Sequence, residues 1–382
     1  MFPDDGPFPP RQPTPAPQQD EPRTIKGLRA LIHYQPRTHP PIDINALVAL
    51  ATFQPMQDTM EYIKHLANAS IFTQSKLSPN ALHRLLDPPN APVAIDDPAI
   101  RFSISTYLSL EHASQAAYNG IIQSFKLNFG NVPGVGTPLA FHGVENLIGT
   151  LTGVESILDN MCPNSCLGFT GPYSDLDACP ICQASRWDEG KLQGSNGRLK
   201  VPAKQFTTIP LGPQLQARYR NPASASQMQY LYRKAQEILN NVVATGSPHI
   251  PVVNDIVMGW DFLGAVLDEN IQEHDIVLMV SLDGAQLYDS KESDCWMYIW
   301  VIANLLPDIC YHKFNVLPGS FIPGPKKPKN VDSFLFRGLH HLAAIQQNGL
   351  HIWNSLTNSQ CLSFVYLLFT TGFAVTCFLH ML

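Results

Sequence analysis

The sequence predicts an α/β chain with a helical region in front of it: a helical N-terminal half, a small cysteine knuckle, then a sheet-bearing C-terminal half. Three observations predict this order. Apolar residues recur at helical spacing between about residues 25 and 160. Four of the eight cysteines are gathered between Cys162 and Cys182. Continuous apolar runs of strand length, Ile276–Leu282 and Cys295–Leu305, lie in the last third of the chain.

Residues 1–24 are rich in Pro, Gln and Asp and poor in aromatics, the composition of a disordered tail. They contain no apolar stretch of the kind that marks a secretory signal, so a reducing compartment is expected and disulfides are not. The stretch DINALVALATFQPMQDTMEYIKHLANASI reads as helical, with Asp43 as its N-cap. A linker, Asp87–Pro98, leads to a second helical region from Ala99 to about Asn128, and a third short helix is expected over Val144–Asn160. At 382 residues and 45% apolar content the chain can bury a core and hold two or three domains. A net charge of −6 argues against a surface that grips nucleic acid everywhere, while leaving room for a local basic groove.

The segment CPNSCLGFTGPYSDLDACPIC carries Cys162, Cys166, Cys179 and Cys182 as a CxxxC pair followed by a CxxC pair. Thiolates at these spacings, on turns supplied by Gly168, Gly171, Pro172 and Pro180, can close a tetrahedral sulfur cage around one Zn²⁺. A redox reading of CPIC lacks the strand-then-helix frame such motifs use. Four thiolates would fill the coordination shell, so the ion is expected to be structural.

From Val201 a proline-punctuated segment leads into a helix over Ala223–Val243. Ile276–Leu282 is the first strand, ending in an Asp283–Gly284 turn; Cys295–Leu305 is the second; YHKFNVLPGSFI holds the third. A helix follows, with Asp332 near its start and Gly349 near its end, and LHIWNS begins a fourth strand. Three strands, a helix and a strand, with an aspartate on the first, is the opening order of an RNase H-like domain. Taken alone, Asp283 reads equally as an ordinary strand-end turn residue.

Four long motifs carry a resemblance: MCPNSCLGFTGPYSDLDACPIC, VPAKQFTTIPLGPQLQARYRNP, LMVSLDGAQLYDSKESDCWMYIW and LPGSFIPGPKKPKNVDSFLFRGLHHL. In these the chain resembles the CACTA (En/Spm-type) transposases, in the branch abundant in mushroom-forming fungi, from about Leu47 to Trp353. The resemblance implies an RNase H-like DDE/D domain that cuts transposon ends with two Mg²⁺ ions, DNA as partner and a nuclear location; it makes Asp283 the first catalytic carboxylate. The chain departs from that pattern in one respect. The family's second aspartate follows the fourth strand and its last acid lies further on, yet no Asp or Glu follows Asp332 here. Asp289, Glu292, Asp294, Asp308 and Asp332 do not match those positions. The expectation is a truncated, inactive transposase-like chain: an incomplete RNase H-like domain over 201–360, a knuckle over 161–190 and a helical region over 25–160. A non-catalytic, zinc-containing module that binds DNA or protein is the alternative. No small-molecule substrate is expected.

The apolar tail 361–382 has no acid and no Lys or Arg, and its 21 residues from Leu362 match the length of a membrane span. It is expected to be either a membrane anchor or read-through sequence; no Lys or Arg after Arg337 fixes an orientation. Lys326, Lys327 and Lys329 in PGPKKPKN form a basic loop suited to DNA phosphate or to nuclear targeting, or simply to solvent. Adjacent His340 and His341 face different sides of a helix, which argues against joint metal binding. Trp296 and Trp300 share a strand face and read as core.

Overall fold

The computed structural model describes residues 25–32, 34–37, 42–73, 75–246, 255–286 and 294–372. The expected N-terminal tail, 1–24, and residues 373–382 of the apolar tail lie outside them. The first part of the described chain is helical: α1 (Ile25–Leu31), α2 (Ile44–Leu50), α3 (Gln54–Ala67), α4 (Pro79–Leu86), α5 (Pro98–Ser109), α6 (Gln115–Phe129) and α7 (Phe141–Thr152). Asp43 caps α2 by accepting the amides of Asn45 and Ala46. The single helix expected from there is two, because Pro55 lacks an amide proton and fits only a first turn; α3 therefore starts afresh at Gln54. Pro79 and Pro98 likewise open α4 and α5 behind the caps Ser78 and Asp97. Gly153, at φ +77°, stops α7, so the helix expected over Val144–Asn160 gives way to a strand, β1 (Ile157–Asn160).

After the knuckle come α8 (Glu189–Gly194), β2 (Gln205–Thr208), α9 (Leu211–Tyr219), α10 (Pro222–Gln227), α11 (Tyr230–Thr245) and α12 (Trp260–Leu267). Then follow β3 (Ile276–Gln286), β4 (Asp294–Ile302), α13 (Pro307–Cys310), β5 (Leu317–Pro323), α14 (Val331–Asn348), β6 (Leu350–Asn354), β7 (Ser359–Ser363) and β8 (Val365–Gly372). Six strands make one sheet in the order β1-β2-β5-β4-β3-β8. Its pairs are antiparallel except β3 with β8, which is parallel.

Two expectations are corrected here. LHIWNS does form a strand, β6, but it pairs with β7 in a separate hairpin; the fourth strand beside β3 is β8. β8 comes from the segment expected to be a membrane anchor or read-through sequence. Val365–Gly372 is extended and hydrogen-bonded to Ile276–Leu282, and no helix among the described residues is long and apolar enough to cross a membrane. A buried parallel strand needs apolar side chains on both faces, which is the same composition a short membrane span has.

The sheet is covered on both faces where β3 begins. On one, Leu335, Leu339 and Leu342 of α14 and Leu211 and Leu215 of α9 meet Leu278, Val280, Leu282, Tyr298, Trp300 and Ile302. On the other, Leu231 and Leu239 of α11 and Phe262, Leu263 and Leu267 of α12 close over Val277 and Ala303, with Leu28 of α1. This two-sided cover explains the unbroken apolar run of β3. Helices α5, α6 and α7 enclose a smaller core of Tyr118, Ile122 and Val144. Arg84 and Arg220 tie that unit to α4 and α9 by bonding the carbonyl of Leu151.

Candidate metal centre

The chain leaves β1 and doubles back, with Met161 and Gly168 paired as an antiparallel bridge; Cys162 and Cys166 lie on the turn between them. The Cys162 amide donates to the Leu167 carbonyl (2.9 Å) and the Ser165 amide to the Cys162 carbonyl (2.8 Å). Ala178 and Ser185 pair in the same way around Cys179 and Cys182, where the Cys179 amide donates to Ala184 and the Gln183 amide to Cys179. Ser165 (φ +57°) and Gln183 (φ +60°) hold the left-handed conformation that closes each turn. For residues with a Cβ this stores on the order of 1–3 kcal/mol each, so something must hold the turns in place.

The two turns face one another, and all four Sγ atoms lie within 4.8 Å of each other, Cys162 and Cys182 at 3.5 Å. A tetrahedral four-thiolate site with metal–sulfur bonds of about 2.3 Å needs sulfurs about 3.8 Å apart, which these positions accommodate. Cys162, Cys166 and Cys179 are buried and Cys182 partly so. Burial pushes the Cys166 thiol up to about 12 and the Cys179 thiol up to about 11. Burial also opposes the Cys182 thiolate, but hydrogen bonds from the Ala184 backbone and the Asn164 side chain bring it down to about 6. That side-chain bond runs from Asn164 Nδ2 to Cys182 Sγ (3.6 Å), and one further donor serves the cage, the Asn164 backbone amide on Cys162 Sγ (3.4 Å). The site fits a divalent metal ion such as zinc, with no position left open.

Its surroundings include residues no spacing could announce. Lys204, half-buried, donates to Ser165 Oγ (3.3 Å) and to the Gly324 carbonyl (2.7 Å). The basic loop lies directly on the knuckle. Lys326 Nζ donates to Asn164 Oδ1 (3.1 Å), the Lys329 amide to the Ser165 carbonyl (3.3 Å) and the Asn330 amide to the Cys166 carbonyl (2.8 Å). Lys327 sits 5.4 Å above the Trp296 ring. Asn330 is the N-cap of α14, and Ser333 in its first turn accepts the Gly168 amide (2.8 Å) on its hydroxyl and the Thr170 hydroxyl on its carbonyl.

Asp283 is elsewhere, on β3, in register with Met297. The Asp283–Gly284 turn expected there is not formed: β3 pairs with β4 as far as Gln286 and Asp294. Gly284 instead makes room for the Trp296 indole, 3.1 Å from where a Cβ would stand. The Asp283 carboxylate is exposed, accepts its neighbour's amide at 2.7 Å, and belongs to no group of three or more metal-ligating side chains among the described residues. Asp289 and Glu292 lie outside those residues.

A buried ion pair also escaped sequence reasoning. Arg337 of α14 grips Asp159 of β1 through Nε–Oδ2 and Nη2–Oδ1, each 2.9 Å, and Lys76 adds a third contact at 2.6 Å. Burial works against the Asp159 carboxylate, yet Arg337 and Lys76 hold it below the usual aspartate range. No family model matches the chain, and no curated protein matches it.

Proposed function

We propose that this chain is a DNA-binding protein of the CACTA transposase type that does not itself cut DNA, with one structural Zn²⁺ on Cys162, Cys166, Cys179 and Cys182. The observation that carries the reading is the strand order β5-β4-β3-β8: three antiparallel strands in chain succession, the helix α14 and, after the β6–β7 hairpin, a strand parallel to the first. With the hairpin set aside, this order supports reading an RNase H-like opening, with Asp283 on its first strand, β3, which lies between β4 and β8. The knuckle lies between β1 and β2 and precedes the strands β3, β4 and β5 of that opening, the order the motifs have in the sequence.

Cleavage by that chemistry needs Mg²⁺ held by several carboxylates together with substrate phosphates. Among the described residues Asp283 belongs to no such group of carboxylates, which favours DNA binding without cutting. The contact surface is the basic loop of Lys326, Lys327 and Lys329, and the nucleus is the compartment the resemblance implies.

The test uses residues 1–382 and a labelled DNA duplex at several salt concentrations. Affinity should fall with salt, and K326E/K327E should flatten the log–log slope by about 0.9 for each phosphate that is no longer neutralised. No Mg²⁺-dependent nicking should appear, and D283N should bind as the parent does. Absence of binding at low salt would sink the DNA reading; nicking abolished by D283N would restore the enzyme.

A further inference from the structure

The knuckle and the basic loop share one hydrogen-bond framework. Ser165 and Cys166, inside the first ligand pair, offer their carbonyls to the amides of Lys329 and Asn330. Asn164, between the same two cysteines, serves both sides at once: its nitrogens donate to Cys162 and Cys182 sulfur, and its Oδ1 accepts from Lys326. Lys204 bridges the Ser165 hydroxyl and the Gly324 carbonyl at the start of the loop. Pro328 is buried, whereas Lys326, Lys327 and Lys329 around it are exposed.

Every one of these links ends on residues 162–166, whose turn is closed by the left-handed Ser165. A bound ion fixes both ends of that turn through Cys162 and Cys166. Four thiolates around a divalent ion also carry net negative charge, which the Lys204 and Lys326 ammonium groups beside it offset. Without the ion the two ends are untied, and the carbonyls that hold Lys329 and Asn330 are free to turn away.

We propose that the metal in the four-cysteine centre clamps Pro325–Asn330, so that the loop is a phosphate-binding surface only when the centre is loaded. The ligand rests on the DNA reading above; the clamp can be read without nucleic acid. Its ligand is a phosphate backbone, met by three lysines held on a fixed frame.

The experiment takes the full chain, measures its metal content, and compares loaded, chelated and Zn²⁺-reloaded samples. The loaded chain should hold one ion. Chelation should speed amide exchange at Lys329 and Asn330 by about tenfold or more, since only the local tether is removed. Trypsin should then cut after Lys329, and Zn²⁺ should reverse both changes. Val280 and Tyr298, in the middle of the sheet, should keep their protection throughout. Affinity for a DNA duplex should fall about tenfold on chelation, as expected when a few phosphate-binding lysines are no longer held in place. K329E, which keeps the Lys329 backbone amide that meets Ser165, should weaken binding while leaving exchange at Asn330 nearly unchanged.

Unchanged loop protection in the metal-free chain overturns the clamp, as does equal loss of protection at Val280, which would make the ion a support of the whole fold. A chain that takes up no metal overturns the clamp together with the zinc assignment. A loop that follows the metal while the loaded chain ignores DNA overturns the choice of ligand and leaves the clamp standing.

Discussion

Arg337 shows what a single residue can decide here. Its side chain is 7% exposed and its partner Asp159 is wholly buried, so either charge left alone would lie in a low-dielectric interior. R337M should therefore destabilise the chain by about 3–5 kcal/mol in urea unfolding, as should D159L, whereas the double variant should lose much less than the sum. Additive losses would mean that the two residues act separately. Gly338, one residue on, has no room for a side chain: a Cβ there would overlap the Tyr298 hydroxyl. G338A should cost about 1–3 kcal/mol through overpacking, measurable in the same unfolding experiment. Legibility at this scale follows sequence distance. The four cysteines were readable because a metal cage built from two turns needs its ligands three or four residues apart within each turn. Asp159 and Arg337 are 178 residues apart, and Lys204 reaches the knuckle from the residue before β2; no local pattern brings such residues together.

At the scale of elements, Pro55 and Gly153 set helix ends that the pattern of apolar residues ran past, while Gly349 marked one correctly, and the unbroken run Ile276–Leu282 announced a strand covered on both faces. The fourth strand was misread because β6 and β8 have similar composition, and the choice between them is made by tertiary contacts. The start of β8 is fastened to the start of β3. Buried Asp275 accepts the amides of Gln272 (2.8 Å) and Phe364 (2.9 Å), the Phe364 carbonyl accepts the Ile276 amide, and Ser363 donates to His274. Asn304 adds to the junction by accepting the Val277 amide and donating to the Asp275 carbonyl. Nothing equivalent ties β6 to the sheet among the described residues, and Gly349 turns it directly into its hairpin. D275A should leave two part-buried amides without this acceptor, costing at most about 1–3 kcal/mol each. Exchange at Phe364 should accelerate before that at Val280. If Phe364 stays protected in D275A, the carboxylate is not what seats β8.

For the molecule as a whole, the buried titratable groups set how the fold answers to pH. Burial, then the neighbouring charges, brings His340 from the ordinary 6.5 to about 4, and burial brings His341 to about the same value; His341 Nε2 accepts the Gly212 amide at 3.0 Å. A folded value below the unfolded one means that the neutral ring favours the fold. That contribution is complete above pH 6.5 and is lost as pH falls towards 4. The Asp159 carboxylate, held down by Arg337 and Lys76, acts in the same sense at lower pH. Asp332, pushed up to about 6 by burial, acts in the opposite sense, favouring the fold when protonated below that value. Asp275, also raised by burial, adds to Asp332, but two histidines lowered to about 4 outweigh these aspartates and leave a net loss on acidification, to which protonation of the cysteine thiolates and release of their ion would add. The melting temperature should thus fall between pH 7 and pH 5. The metal contribution separates from the histidine one because it disappears in a chelated sample, whereas the histidine contribution persists there. H341Q, whose amide oxygen can still accept from Gly212, should flatten the remaining slope. A metal-free chain whose melting temperature holds or rises from pH 7 to pH 5 would show that the two imidazoles are not kept neutral by the core, and that α14 is less tightly sealed against α9 than its packing implies.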